Sequence, residues 1–310
     1  MHPLSGDASF RRYCRIKMGK ISYMLMVSPI DKEDTTPFLT TRKWLESHQL
    51  NVPSLIAAAP ERGLLLLEDF GDETWAIFFQ KNMAIEAEKK PMFEDAIRQL
   101  HLLQRADPHA IDLPLFDTQR MVNECYLYLD WYLPFVAHYH PTDDEKDAFI
   151  AGMMPLLTMI DALPKTAVHL DFHSRNLMLP TTGLPLGVID FQDAVIGPVT
   201  YDLASLLYDC YQDYPESVRK QWSHHFFNQL DASSSSHCPS NPLDWHHALR
   251  LTALQRHIKA IGIFARLAYR DGKQQFLHEI PLTRKHLREE LPLFQMDGNN
   301  VLRLLLQEPN

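Results

Sequence analysis

Residues 169–176, "HLDFHSRN", place His169, Asp171, His173, Arg175 and Asn176 between two apolar runs, and Ile189-Asp190-Phe191 follows with its aspartate fourteen residues after Asn176. Asp171 is a carboxylate that can accept a proton. Asn176 and Asp190 offer hard oxygens. Magnesium favours such a sparse set, one or two carboxylate or amide oxygens completed by water and phosphate. Phosphoryl transfer needs these parts together: a carboxylate to orient and deprotonate an attacking hydroxyl, and Mg²⁺ to screen the phosphates. Zinc is a competing chemistry, since His169 and His173 are four apart. That spacing pairs side chains on a helix, however, and this segment reads as strand and turn. A polar turn of purely structural use is the third reading; it leaves a buried aspartate to be paired, which is costly.

The elements that must position these groups are short. "TAVHL", "NLML" and "PLGVIDF" within 166–191 read as strands alternating with turns. Upstream, "SFRRYCRIK" (9–17) and "ISYMLMVS" (21–28) read as strands joined by a hairpin turn at Met18-Gly19-Lys20. "TTPFLTTRKWLESHQL" (35–50) reads as a helix capped by Thr35 or Thr36, with Pro37 in its first turn and Phe38, Leu39, Trp44 and Leu45 as apolar positions. "GLLLLEDFG" (63–71) reads as a buried strand bounded by glycines. Beyond Gly71 the pattern predicts helices over 74–81, 92–106, 117–131, 142–162, 200–213, 215–230, 243–270 and 282–291, punctuated by Pro91 and Pro134. "DASSSSHCPSNP" (231–242) reads as a mobile surface loop. The expected fold class is α+β. A small sheet-rich lobe over 1–69 joins, near Glu68 to Asp72, a large helical lobe over 70–310 that contains the strand-rich insert.

Composition narrows the function classes. A chain of 310 residues with a net charge of −9 repels nucleic-acid phosphates, which excludes a general nucleic-acid binder. No run of about 18 apolar residues predicts a membrane span. The opening "MHPLSGDASFRR" lacks the basic-then-apolar pattern of a secretion signal. Cys14, Cys125, Cys210 and Cys238 have no paired spacing, which fits a reducing, cytoplasmic setting.

"HLDFHSRN…IDF" resembles the catalytic loop and metal motif of the aminoglycoside phosphotransferase and choline kinase family, relatives of the protein kinases. "LLLLEDFGD" (64–72) is similar to that family's inter-lobe hinge. More narrowly, "SGDASFRRYCR" (5–15), "DFQDAVIGPVTYDLASLLYDCY" (190–211) and "ALQRHIKAIGIFARLAYR" (253–270) resemble the bacterial cell-wall sugar kinases, which phosphorylate the anomeric hydroxyl of N-acetylmuramate and N-acetylglucosamine in peptidoglycan recycling. The resemblance covers nearly the whole chain. It implies a protein-kinase-like two-lobed fold with ATP and Mg²⁺ as cofactors and an amino sugar as acceptor. Asp171 then matches the catalytic aspartate, and Asn176 and Asp190 the magnesium ligands. Gly6, Asp7, Ala8 and Ser9 match a loop that covers the nucleotide phosphates with backbone N–H groups. Glu68, Asp69 and Phe70 would present backbone to adenine. His169 would brace the loop, and Asp202 would serve as an architectural acceptor. Other kinases of the family, for choline, homoserine or an aminoglycoside, are the alternatives, as is a non-catalytic pseudokinase.

Two departures stand out. Kinase-like folds carry a phosphate-pairing lysine on the third strand of the small lobe; Met24 and Met26 stand there instead. Arg11, Arg12, Arg15 and Lys17 on the preceding strand are the candidates to replace it. The chain also begins almost at the phosphate loop, which points to an internal start or an abbreviated small lobe. For the acceptor, aminoglycosides are polycations and call for carboxylates. Residues 250–273 carry Arg250, Arg256, Lys259, Arg266, Arg270 and Lys273 against Asp271. Arg256, Lys259 and Arg270 recur near one helix face, which suits the lactyl carboxylate of N-acetylmuramate. Arg256, Lys259, Arg175 and the aromatic Trp131 are the candidate sugar contacts.

Overall fold

Gly19, at φ +65°, lets the chain reverse between β2 (Arg12–Met18) and β3 (Ile21–Val27) in the expected hairpin, closed by the Met18–Ile21 pair. The computed structural model describes residues 2–4, 10–81, 86–230, 239, 241–293 and 299–308. The chain divides into two compact units, Met1–Leu113 with His169–Ala194, and Pro114–Val168 with Val195–Asn310.

In the first unit β1 (His2–Leu4), β2, β3, β4 (Leu55–Ala59) and β5 (Leu64–Glu68) form an antiparallel sheet of order β1-β2-β3-β5-β4. Strand alternation puts Tyr13 and Arg15 on one face with Met24, Met26, Leu65 and Leu67, because these residues pair directly across β2, β3 and β5. Met26, Leu65 and Leu67 are buried there. β4 escaped the sequence reading because its Ala57-Ala58-Ala59 run lacks the β-branched and aromatic residues that mark a strand. α1 (Thr36–Ser47) buries Phe38, Trp44 and Leu45. Its first turn is capped by Asp34, whose carboxylate accepts from Thr36 N at 2.8 Å, and neither Thr35 nor Thr36 makes a side-chain cap. α2 (Trp75–Lys81) and α3 (Glu86–Arg105) follow. α3 starts earlier than expected and runs through Pro91, which near the N-terminal end forfeits one backbone bond without ending the helix. Within 169–194, Leu177–Met178 pairs antiparallel with Gly187–Val188.

The second unit is helical around one strand pair, Lys165–Val168 with Val195–Pro198. α4 (Thr118–Leu127) is capped by Asp117, and α5 (Asp143–Asp161) by a Thr142–Glu145 capping box. α6 (Tyr201–Leu207) stops short of the expected 213. His257 takes the Tyr208 carbonyl at 2.9 Å, and the Asp209 carboxylate accepts from Tyr211 N, so the backbone leaves the helix there. α7 (Glu216–Phe227), α8 (Pro242–Tyr269), α9 (Ile280–Glu290) and α10 (Asn299–Leu305) complete the unit. α8 is its axis. Asn241 caps α8 through Leu243 N and Asp244 N, with Pro242 at the first helical position. Gly262 meets backbone: a Cβ there would lie 2.4 Å from Leu127 C, where α4 widens into a π turn over Tyr128–Tyr132. Among the described residues no helix is long and apolar enough to cross a membrane. The segment 231–238 and residue 240, read as a loop, lie outside the described residues.

Two histidines are buried in this unit, His257 against the buried Glu290 and His286 against the exposed Asp213. His257 bonds Glu290 at 2.8 Å, and His286 bonds Asp213 at 3.2 Å. Burial pushes the His286 imidazole down to about 3, helped by His257 and Arg219 and opposed by Asp213. The unfolded chain, by contrast, takes up this proton near pH 6.5. The stabilisation is therefore complete above about pH 6.5 and is lost as pH falls through the window down to about 3, by at most about 1.4 kcal/mol per pH unit. Thermal melts from pH 7.5 to 5 check this: His286→Gln is expected to flatten the acid-side fall in Tm. An unchanged slope would remove His286 as its source.

Candidate active site

Asp171, Asn176 and Asp190 sit on one hydrogen-bonded segment of the first unit. His173 N donates to Asp171 O at 2.9 Å, and Asn176 N to His173 O at 2.9 Å, which winds 171–176 into a turn. The strand pair Leu177–Met178 with Gly187–Val188 then brings the chain back. At its open end Ile189 N donates to Asn176 O at 3.1 Å. The His169 Nε2 bonds Ile189 O at 3.0 Å, while Nδ1 accepts from Asp171 N at 3.3 Å. Both ring nitrogens of His169 are thus committed to backbone, and the residue is a brace. Asp190 follows at φ +64° and Leu170 lies at φ +77°, two non-glycine residues held in left-handed backbone. Such conformations persist where surrounding bonds over-determine them.

Side-chain orientation follows. Asn176 Nδ2 donates to Asp171 O at 3.0 Å, which turns its Oδ1 away from that carbonyl. Asp190 is exposed, and its Oδ1 accepts from Gln192 Nε2 at 2.8 Å. An amide oxygen and a carboxylate presented this way are the hard donors a divalent cation of the magnesium type takes. Phe191, next to Asp190, packs on Phe38 of α1 with ring centroids 5.0 Å apart. Arg175 is half-buried in the same turn as Asp171.

The return strand is held by residues that the sequence did not single out. Leu186 N donates to Asp95 Oδ2 at 2.8 Å, and Gln99 Nε2 donates to Leu186 O. Gln99 Oε1 accepts from Asn51 N at 3.0 Å. Asn51 in turn donates to Pro185 O and accepts from Val188 N. These pairings span 48 to 137 positions of sequence, and a buried Gln on an amphipathic helix carries no signal of them.

Residues 68–72 are shaped by their own carboxylates. Asp69, almost fully buried, receives Arg15 through Nε and Nη2, and Gly71 N at 3.0 Å. Burial opposes ionisation, but Arg15, Ser22 and Gly71 outweigh it and hold the Asp69 carboxyl below its usual range. Arg15 also reaches Asp72 and Gly71 O. Glu68 is paired with Ser54, N to O at 2.9 Å and Ser54 Oγ to Oε2 at 2.8 Å. Phe70 is buried against Gly187, where a Cβ would fall 2.3 Å from its ring. Gly6, Asp7, Ala8 and Ser9 lie outside the described residues.

In the second unit, Arg256 and Lys259 do not form a solvated stripe. Both lie over the Tyr201 ring, at 5.2 and 5.6 Å from its centroid. Lys259 donates to the Tyr201 hydroxyl and approaches Glu124 at 3.6 Å. Arg270 lies past the helix end, paired with Asp271. Trp131 stacks on Phe135 at 5.5 Å. Asp202 is buried in the first turn of α6.

The chain belongs to the phosphotransferase enzyme family whose model (APH) matches residues 1–234. More particularly, it is 36% identical over 278 residues to a Pseudomonas putida protein named N-acetylmuramate/N-acetylglucosamine kinase, covering 89% of this chain and 79% of that one. It is 34% identical over 285 residues to the Neisseria meningitidis protein of the same name, covering 92% and 83%. An ADP-bound crystal structure of an aminoglycoside phosphotransferase superposes with a TM-score of 0.59 at 15% identity, covering 93% of both chains. The kinase-like fold expected from the resemblance is thereby borne out.

Gln99→Ala removes partners from three buried backbone or carboxylate groups at once. Asp95 and the Leu186 carbonyl keep other partners, so each loss costs about 0.5–1.5 kcal/mol. It is expected to lower Tm clearly, whereas Gln119→Ala, on the exposed face of α4, leaves Tm within a degree or two. Differential scanning calorimetry of the pair checks this; equal melting would dissolve the role given to Gln99.

Proposed function

We propose that this chain is an ATP-dependent sugar kinase that phosphorylates the anomeric hydroxyl of N-acetylmuramate, N-acetylglucosamine or both. The observation that supports the reading is the set of bonds that braces the segment carrying Asp171, Asn176 and Asp190. The names of the relatives agree with it. Asn176 and Asp190 would hold magnesium, which supplies charge neutralisation at the transferred phosphoryl group. Asp171 hydrogen-bonds the sugar hydroxyl and takes its proton as the new O–P bond forms and ADP leaves. An anomeric hydroxyl is more acidic than an ordinary alcohol, so this base needs little perturbation.

The lobes proposed are 1–69 for the nucleotide and 70–310 for the catalytic loop and sugar. Gly6 to Ser9 would cover the phosphates, and Glu68 to Phe70 would meet adenine. Arg256 and Lys259 supply positive charge suited to a lactyl carboxylate, with Arg175 and Trp131 as further proposed sugar contacts. Neither a nucleic acid nor a membrane is a proposed partner. A cytoplasmic location is proposed because Cys14, Cys125 and Cys210 are free thiols, which suits a reducing compartment.

ATP consumption measured side by side on N-acetylmuramate, N-acetylglucosamine, choline and kanamycin, with and without Mg²⁺, tests the reading. Magnesium-dependent turnover on an N-acetyl sugar is expected. Turnover confined to choline or kanamycin, or none at all, would overturn it. Asp171→Asn keeps the backbone bonds of the turn and is expected to fold, yet to lose at least ~10²-fold in kcat.

A further inference from the structure

We propose that Arg11 replaces the lysine absent from β3 as the cation that pairs with the nucleotide phosphates, and that Glu33 is its positioning residue. This rests on the kinase reading above. Four basic residues lie on or just before β2, and the structure separates them. Arg12 is exposed and, by alternation, points to the sheet face opposite Tyr13 and Arg15. Lys17 is exposed at the hairpin end, across from Ser22. Arg15 has its guanidinium engaged by Asp69, Asp72 and the Gly71 carbonyl. Arg11 continues the Tyr13–Arg15 row, the row that lies directly opposite Met24 and Met26.

Arg11 is mostly shielded from solvent, with 14% of its side chain exposed, and its Nε donates to Glu33 Oε2 at 2.9 Å. Glu33 is itself anchored: its Oε1 accepts from Phe10 N at 3.1 Å. One carboxylate therefore fixes the plane of the guanidinium from the loop before α1. Asp190, the proposed metal carboxylate, acts electrostatically on both Arg11 and Tyr13. Burial alone would push the Arg11 guanidinium down, but Tyr13, Glu33 and Asp190 together hold it above its usual value. Arg11 is thus a fixed cation on the row of β2 that faces Met24 and Met26, where it would supply the positive charge that nucleotide phosphates need. A guanidinium held in a plane suits phosphate recognition, since its parallel N–H groups match two phosphate oxygens. Methionine at 24 and 26 can do none of this.

Calorimetric binding of Mg·ATP, Mg·ADP and adenosine to the full chain and to Arg11→Ala, Arg11→Lys and Glu33→Gln tests the assignment. Arg11→Ala is expected to weaken ATP and ADP at least about tenfold, in the range of a lost charge-assisted bond, and to leave adenosine unchanged. Arg11→Lys recovers part of the loss, and Glu33→Gln shows a smaller loss of the same selectivity. Should Arg11→Ala fail to fold by its melting curve, the other two variants decide by the same comparison. Unchanged ATP affinity, or equal losses for ATP and adenosine, overturns the assignment. A wild-type chain that binds adenosine and ATP alike overturns the kinase reading and this inference with it, whereas normal wild-type ATP selectivity with an indifferent Arg11 variant overturns the inference alone.

Discussion

Ile189 spends its two backbone groups on the two ends of the segment that precedes it: its carbonyl on the His169 ring, its N–H on the Asn176 carbonyl. These two bonds fold 169–189 back on itself. They bring Asp190 beside the turn that carries Asp171 and Asn176. They also force Asp190 and Leu170 into left-handed backbone, a strain of about 1–3 kcal/mol each that the surrounding bonds must offset. The candidate chemistry needs three oxygens from two stretches of chain in one place, and this closure is what joins those stretches.

The same economy holds further out. Asp95, Gln99 and Asn51 satisfy the return strand at 185–188, and Phe38 backs Phe191. Arg15 fixes residues 69–72 by bonding Asp69, Asp72 and Gly71 together. A buried pair of this kind is weak evidence for stability, yet removing one partner leaves the other's charge unpaired. Charges in the first unit therefore act mainly to shape backbone. Arg11 and Glu33 form a separate pair, joining the residue before β2 to the loop before α1.

The sequence made the chemistry legible before the architecture. The motif at 169–191 is local, so its strand-and-turn texture and its three oxygen donors could be read from adjacent residues, and the hairpin turn at Gly19 was legible for the same reason. What escaped was non-local or locally featureless. Gln99 gains its meaning only from Asn51 and Leu186. The alanine strand β4 is a strand because β5 pairs with it. The end of α6 depends on His257, about 50 residues further along the chain. Arg256 and Lys259 read as one basic helix face, yet an aromatic ring from α6 gathers them. In each case a tertiary partner overrode a sound local preference.

The most direct measurement is Mn²⁺ binding in the presence of ADP, followed by electron paramagnetic resonance of the free ion, for the wild-type chain and three single variants. If Asn176 and Asp190 are the metal donors and Asp171 is the base, Asn176→Ala and Asp190→Asn each weaken ADP-dependent Mn²⁺ binding at least about tenfold, the difference made by losing one of few oxygen donors, while Asp171→Asn binds like the wild type. Wild-type affinity in Asp190→Asn, or a loss in Asp171→Asn as large as in the other two, would contradict the arrangement.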